Sequence, residues 1–256
     1  MIPQASSTQS AFQKPIWSSL FGAPWLASLF IFAVLASIRF FAILSPYSLQ
    51  ELFFLQTVAM WALPFLYLTA SGKREIGLSE RGATTVSMIL SALAGSACGL
   101  IFFGLGMGIY GDSPSNWCVS IRIYLHLDEM RGLMPPWGLF ALYALPGIFL
   151  NPVGEEILFR GVIQQSFARR FNPAIATLIN SVLFGLVYLS LHGIWRDEAG
   201  LHLRLVSATL GIFLMAGVGA VFTLCRALSG SLWPAMAAHA AFNLTLLGLT
   251  IYHYFG

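Results

Sequence analysis

The sequence predicts an all-α fold, a polytopic transmembrane helical bundle of about seven spans. Three observations predict it. Hydrophobic residues make up 57% of the 256 and charged residues 9%, with a mean hydropathy of +0.78, against about 45–50% apolar and roughly 25% charged in a soluble domain. Thirteen Lys and Arg with ten Asp and Glu cannot coat a water-facing surface. The apolar residues fall in long continuous stretches of the ~20 residues that a bilayer-crossing helix needs, not in the ~10-residue alternating runs of barrel strands. This composition excludes an ordinary soluble globule, a disordered chain and a nucleic-acid-binding domain, which would need a basic face. The net charge of +3 arises in short loops and signals no partner.

Residues 1–19 are rich in Ser and Gln, carry Lys14 as their one basic residue, and read as an N-terminal tail. The apolar run that follows, over 20–44, is too long for a signal-peptide core of about 7–15 residues. Further spans are expected over 50–70 and 84–110, so that 20–135 forms a set of N-terminal transmembrane helices. Residues 111–133 are polar overall but include Ile121, Ile123, Leu125, Leu127 and Leu133, and are expected to lie along the membrane interface. Spans over 136–168, 174–194, 205–227 and 231–253 complete the bundle and make 136–253 its functional core. Cys98, Cys118 and Cys225 offer neither a CxxC pair nor a disulfide framework.

This threading puts Lys14, Lys73, Arg74, Arg81, Arg169, Arg170 and Arg226 on one side of the membrane, and Arg122, Arg131, Arg196 and Arg204 on the other. The positive-inside rule makes the first side cytoplasmic. The expectation is an integral, multi-pass protein of a bacterial inner (plasma) membrane with a cytoplasmic N-terminus.

Ionisable residues inside spans cost roughly 2.5–3.5 kcal/mol each and are functional candidates by default. They are Arg39 in the first span, Glu155, Glu156 and Arg160 in the fourth, His192 in the fifth and His239 in the seventh. Arg39 lies near the end of its span and is expected to snorkel to the interface. In the fourth span Pro152 removes a backbone donor and predicts a kink or a new helix start. Glu156 and Arg160 are four residues apart and can pair on one helix face. Glu155 points about 100° away and has no local partner. A buried carboxylate without a local partner suits a general base. At 1.5 Å per residue, Glu155, Tyr188 and Asn243 fall within roughly 3 Å of one depth, with His239 about one turn nearer the cytoplasm and His192 about one turn further out. A polar mid-membrane cavity between the fourth, fifth and seventh spans, lined by Glu155, Asn243 and His239, is therefore expected.

Glu155-Glu156-x-x-x-Arg160-Gly161 resembles the first motif of the CPBP family of intramembrane glutamic proteases, the CAAX proteases and bacteriocin-processing enzymes. Phe184-Gly185-Leu186 resembles the start of its second motif, Phe-x-x-x-His, and His239-Ala-Ala-Phe-Asn243 its third, His-x-x-x-Asn. The resemblance covers about 137–247. It implies an endopeptidase in which Glu155 activates water, Glu156 and Arg160 hold the helix, and His239 and Asn243 bind the oxyanion. The implied partner is a membrane-anchored or lipidated substrate cut near its C-terminus in the bilayer; no nucleic acid and no cofactor is called for. One position departs: Tyr188 stands where the second motif has histidine. A phenol of pKa ~10 cannot readily share a proton at neutral pH, but it can orient a water, and His192 lies one turn along the same helix. Three alternatives follow. One is a non-catalytic member that binds a partner or peptide in the same cavity, which Tyr188 favours. Another is a metal site of Glu155, His192 and His239, opposed by an axial gap of about 15 Å between the histidines. The last is a proton-coupled transporter, which would show repeats or paired broken helices.

Overall fold

The computed structural model describes residues 12–45, 50–78, 82–197 and 200–256. Among the described residues, six helices are long and apolar enough to cross a membrane: α2 (Pro24–Leu44), α5 (Thr85–Tyr110), α7 (Pro136–Ala168), α8 (Pro173–His192), α9 (Leu205–Ser229) and α10 (Leu232–Phe255). A further apolar helix, α3 (Gln50–Leu66), has 17 residues, the lower end of what spans a bilayer. Three short helices complete the set among the described residues: α1 (Pro15–Phe21), α4 (Ala70–Glu75) and α6 (Trp117–Tyr124). The fold is the all-α bundle that the hydropathy pattern predicts.

Helix ends follow local chemistry. Thr84 Oγ1 accepts from the Ser87 amide at 3.1 Å to start α5, and Asn172 Oδ1 accepts from the Ile175 amide at 2.9 Å ahead of Pro173 in α8. Gly230, at φ +70°, ends α9 in the left-handed conformation, and Ser231 opens α10 one residue later.

The first departures from expectation lie outside the long spans. Residues 12 and 13, read as part of a tail, are packed: Phe12 and Gln13 are fully buried, Gln13 pairs with Leu68, and Tyr67 Oη donates to Gln13 Oε1 at 2.9 Å. Residues 1–11 lie outside the described residues. The 111–133 segment contains the amphipathic α6, whose Trp117 is buried against Phe102. A short antiparallel pair of strands, β1 (Ile194–Asp197) and β2 (Gly200–Leu203), follows α8 in the register Ile194↔Leu203 and was not anticipated.

Polarity is arranged inside out. Val86, Leu93 and Ile101 of α5 and Phe213 of α9 are exposed by 58–71%, an apolar exterior that lipid covers and water would not tolerate. Arg39, Glu155, Glu156, Arg160 and His239 are each 2% exposed or less. Close helix approach brings them together. A Cβ at Gly95 of α5 would lie 1.8 Å from the Ala238 carbonyl of α10, and one at Gly185 of α8 2.4 Å from the Ile212 carbonyl of α9. Small residues at such contacts are how membrane helices bring their backbones together.

Apart from the buried Arg39 and Arg160, charged residues pair towards the two ends of the bundle. At one end Arg169 Nε bonds Glu75 Oε1 at 2.9 Å, Arg226 donates to the Glu75 carbonyl at 2.8 Å, and Lys14 donates to the Phe65 carbonyl. At the other, Arg122 pairs with Asp128 and Asp112 with His253. The Asp112 carboxyl is held below the usual carboxylate range, chiefly by its hydrogen bond from His253. Arg81 lies outside the described residues.

Candidate active site

The fourth span is one continuous helix, α7, but not a regular one. Pro146–Leu150 and Ile157–Ile163 are π-helical, and the α-helical turn Asn151–Glu156 lies between them. Pro146 and Pro152 each lack the N–H that an i→i−4 bond requires. The break expected at Pro152 thus takes the form of flanking π-turns, a distortion common at functional sites. It places Glu155 and Glu156 on different sides of the helix.

Glu156 faces the core. Its Oε1 accepts from Arg160 Nη1 at 2.9 Å, the intrahelical pair that the spacing predicts, and also contacts His239 Nδ1 at 2.8 Å. Arg160 Nη2 donates to the Gly219 carbonyl of α9 at 2.8 Å, and the guanidinium lies over the rings of Phe184 and Phe222 at 4.3 and 5.2 Å. This buried trio joins α7, α9 and α10.

Glu155 faces the other way, into a cavity of about 170 Å³. Its Oε1 pairs with Arg39 Nη1 of α2 at 2.6 Å. Its Oε2 accepts from Tyr188 Oη of α8 at 3.0 Å and lies 3.9 Å from His239 Nε2. The snorkelling expected for Arg39 is therefore wrong. The residue is 2% exposed and points inward, because a carboxylate 116 positions away supplies the anion that a desolvated guanidinium needs. The signal for it was its presence in a span at all: an intramembrane arginine calls for an anion, and Glu155 was the acid without a local partner.

Tyr188 caps the regular part of α8, and His192 follows in a last short turn. The tyrosine meets Glu155 as the depth argument anticipates. His192 is also buried and lines the cavity, stacked on Tyr188 at 5.8 Å, and its Nδ1 has no partner among the described residues. Asn243 lines the cavity as expected, with its Nδ2 donating to the Gly147 carbonyl at 3.0 Å. His239 does not: it is fully buried behind Glu155, stacked on Phe222 at 4.9 Å. The expected common lining of Glu155, Asn243 and His239 holds for the first and second only, because Glu156 draws the histidine into the core. The cavity also has walls that span-depth counting did not include: Phe53 of α3, Ile121 and Tyr124 of α6, and Tyr143 earlier in α7. Among the described residues no group of three His, Cys, Asp or Glu is arranged to hold a metal ion.

Fold and site together define an integral, multi-pass membrane protein with a buried carboxylate facing a cavity among its helices. Residues 136–245 match the family model described as type II CAAX prenyl endopeptidase Rce1-like. The matched segment contains Glu155, Glu156, Arg160, Tyr188, His192, His239 and Asn243. Arg39 lies outside it. Neither a curated protein nor a solved structure shows significant similarity to the chain.

Proposed function

We propose that the protein is an intramembrane endopeptidase of the glutamic type, with Glu155 as the base. The observation that carries this reading is the buried carboxylate itself, placed at a cavity wide enough for water and bridged by donors from two other helices. In the proposed step Glu155 takes a proton from a water in the cavity. The water oxygen bonds to the scissile carbonyl carbon, and the carbonyl π pair moves onto oxygen. The carbonyl then re-forms, the C–N bond breaks, and the proton on Glu155 passes to the departing amine. Tyr188 Oη orients the carboxylate and its water. Glu156, Arg160 and His239 hold α7 against α9 and α10.

The proposed substrate is a membrane-anchored or lipidated protein cut near its C-terminus. An apolar-walled cavity within the bundle suits such a chain, and the matched family is described as acting on prenylated CAAX ends, in which the cysteine carries the lipid. The proposed setting is a bacterial inner membrane, and the proposed cytoplasmic placement of the N-terminus is supported by the clustering of Lys14, Lys73, Arg74, Arg169 and Arg226 at one end.

The test is cleavage of a quenched fluorescent peptide with a prenylated cysteine and a three-residue C-terminal tail, presented in liposomes beside a panel of single-span membrane proteins. Wild-type protein should cleave at least one of these, and Glu155→Ala should not. A second reading, a non-catalytic member that binds a peptide, is favoured by one observation: Arg39 and Tyr188 engage both Glu155 oxygens, and Tyr188 replaces the motif histidine. Binding of the same probes without Glu155-dependent cleavage would establish that reading instead.

A further inference from the structure

The residues implied for oxyanion binding are each already engaged in part. Asn243 gives one of its two Nδ2 N–H donors to the Gly147 carbonyl, and His239 is held by Glu156 through Nδ1, with Nε2 3.9 Å from Glu155 Oε2, and does not line the cavity. Among the described residues lining the cavity, Arg39 is the one Lys or Arg. Its guanidinium carbon lies 4.8 Å from the centre of the Tyr188 ring and 5.4 Å from that of Phe53. Its edge is not saturated: Nη1 bonds Glu155, and Nε has no partner among the described residues. A guanidinium carries five N–H donors in a fixed plane, and here one of its nitrogens bonds the Glu155 carboxylate at 2.6 Å.

We infer that Arg39 is a further catalytic residue, whose guanidinium stabilises the oxyanion formed when Glu155-activated water attacks the substrate carbonyl. The inference rests on the protease reading above, and concerns a residue that the family match does not cover. Charge conservation is the argument. At rest the buried cation Arg39 is balanced by the anion Glu155. When the water's proton moves to Glu155, that carboxyl becomes neutral and the negative charge appears on the former carbonyl oxygen. A buried cation left without an anion is costly, so Arg39 gains from the oxyanion what it loses from Glu155. The cavity keeps one cation and one anion throughout. The interaction develops with the transition state, so it should act on kcat rather than on substrate binding.

The experiment measures kcat and KM separately on whichever of the liposome-presented probes above the wild-type protein cleaves, for wild type, Glu155→Ala, Arg39→Gln and Arg39→Lys. Absence of Glu155-dependent cleavage overturns the protease reading, and this inference with it. Given such cleavage, Arg39→Gln should lose about 10²–10³-fold in kcat, the scale of one oxyanion donor, with KM within about threefold of wild type. Arg39→Lys keeps the buried charge pair, and hence the fold, but lacks the planar donor edge. It should lose about tenfold or more in kcat at unchanged KM. Arg39→Lys with wild-type kcat, or an Arg39→Gln effect confined to KM, overturns the inference. Where Arg39→Gln does not accumulate as folded protein, Arg39→Lys alone decides.

Discussion

Glu156 and His239, 83 positions apart, are joined at 2.8 Å through Glu156 Oε1 and His239 Nδ1. The same oxygen carries Arg160. One carboxylate is thus the only anion of a trio with essentially no exposure, and it fixes the histidine of the third motif in the core rather than at the cavity.

The trio predicts the effect of Glu156→Gln. Neutralising the carboxylate leaves Arg160 buried without a counter-ion, a change worth about 3–5 kcal/mol. Thermal unfolding of purified protein in detergent should show a large drop in Tm, or folded protein should fail to accumulate. A variant with wild-type Tm but no cleavage would move Glu156 into the chemistry.

Tyr188 and His192 divide differently. Tyr188 Oη lies 3.0 Å from Glu155 Oε2, whereas no hydrogen bond to Glu155 is formed by His192. Tyr188→Phe is expected to cost roughly 10–100-fold in cleavage rate, the scale of one positioning hydrogen bond. His192→Ala should cost under about tenfold, and Tyr188→His should keep or raise the rate. The reverse order of the first two, measured as kcat/KM, would transfer the role to His192.

The α5–α10 contact predicts a packing defect. At Gly95 a side chain would run into the Ala238 backbone, which cannot move aside as a side-chain tip can. Gly95→Ala should destabilise by about 1–3 kcal/mol, and Gly104→Ala, where nothing lies within 4 Å, should be near neutral. Equal unfolding temperatures for the two variants would contradict this packing.

Topology is open to a direct measurement. Arg74 and Glu129 are both exposed and lie at opposite ends of the bundle's charge distribution. Cysteines placed there should react with a membrane-impermeant maleimide from opposite sides, Glu129→Cys from outside intact cells and Arg74→Cys only after permeabilisation. Labelling of both from one side would overturn the proposed orientation.

By itself the sequence determined the bundle and most of the cast at the site. Span positions follow from hydrophobic runs, and the Glu156–Arg160 pair from a four-residue spacing, because both are properties of a local stretch of helix. The depth agreement of Glu155 and Tyr188 follows from a fixed rise per residue. Burial of residues 12–13, the cavity walls given by α3 and α6, and the removal of His239 from the cavity were not legible, since each depends on what a distant segment packs against. Arg39 shows the division most clearly. Near the end of an apolar helix, an arginine in isolation reaches for the interface, where hydration is cheapest. Only the tertiary structure brings Glu155 to it, and a buried anion at 2.6 Å outweighs the distant water.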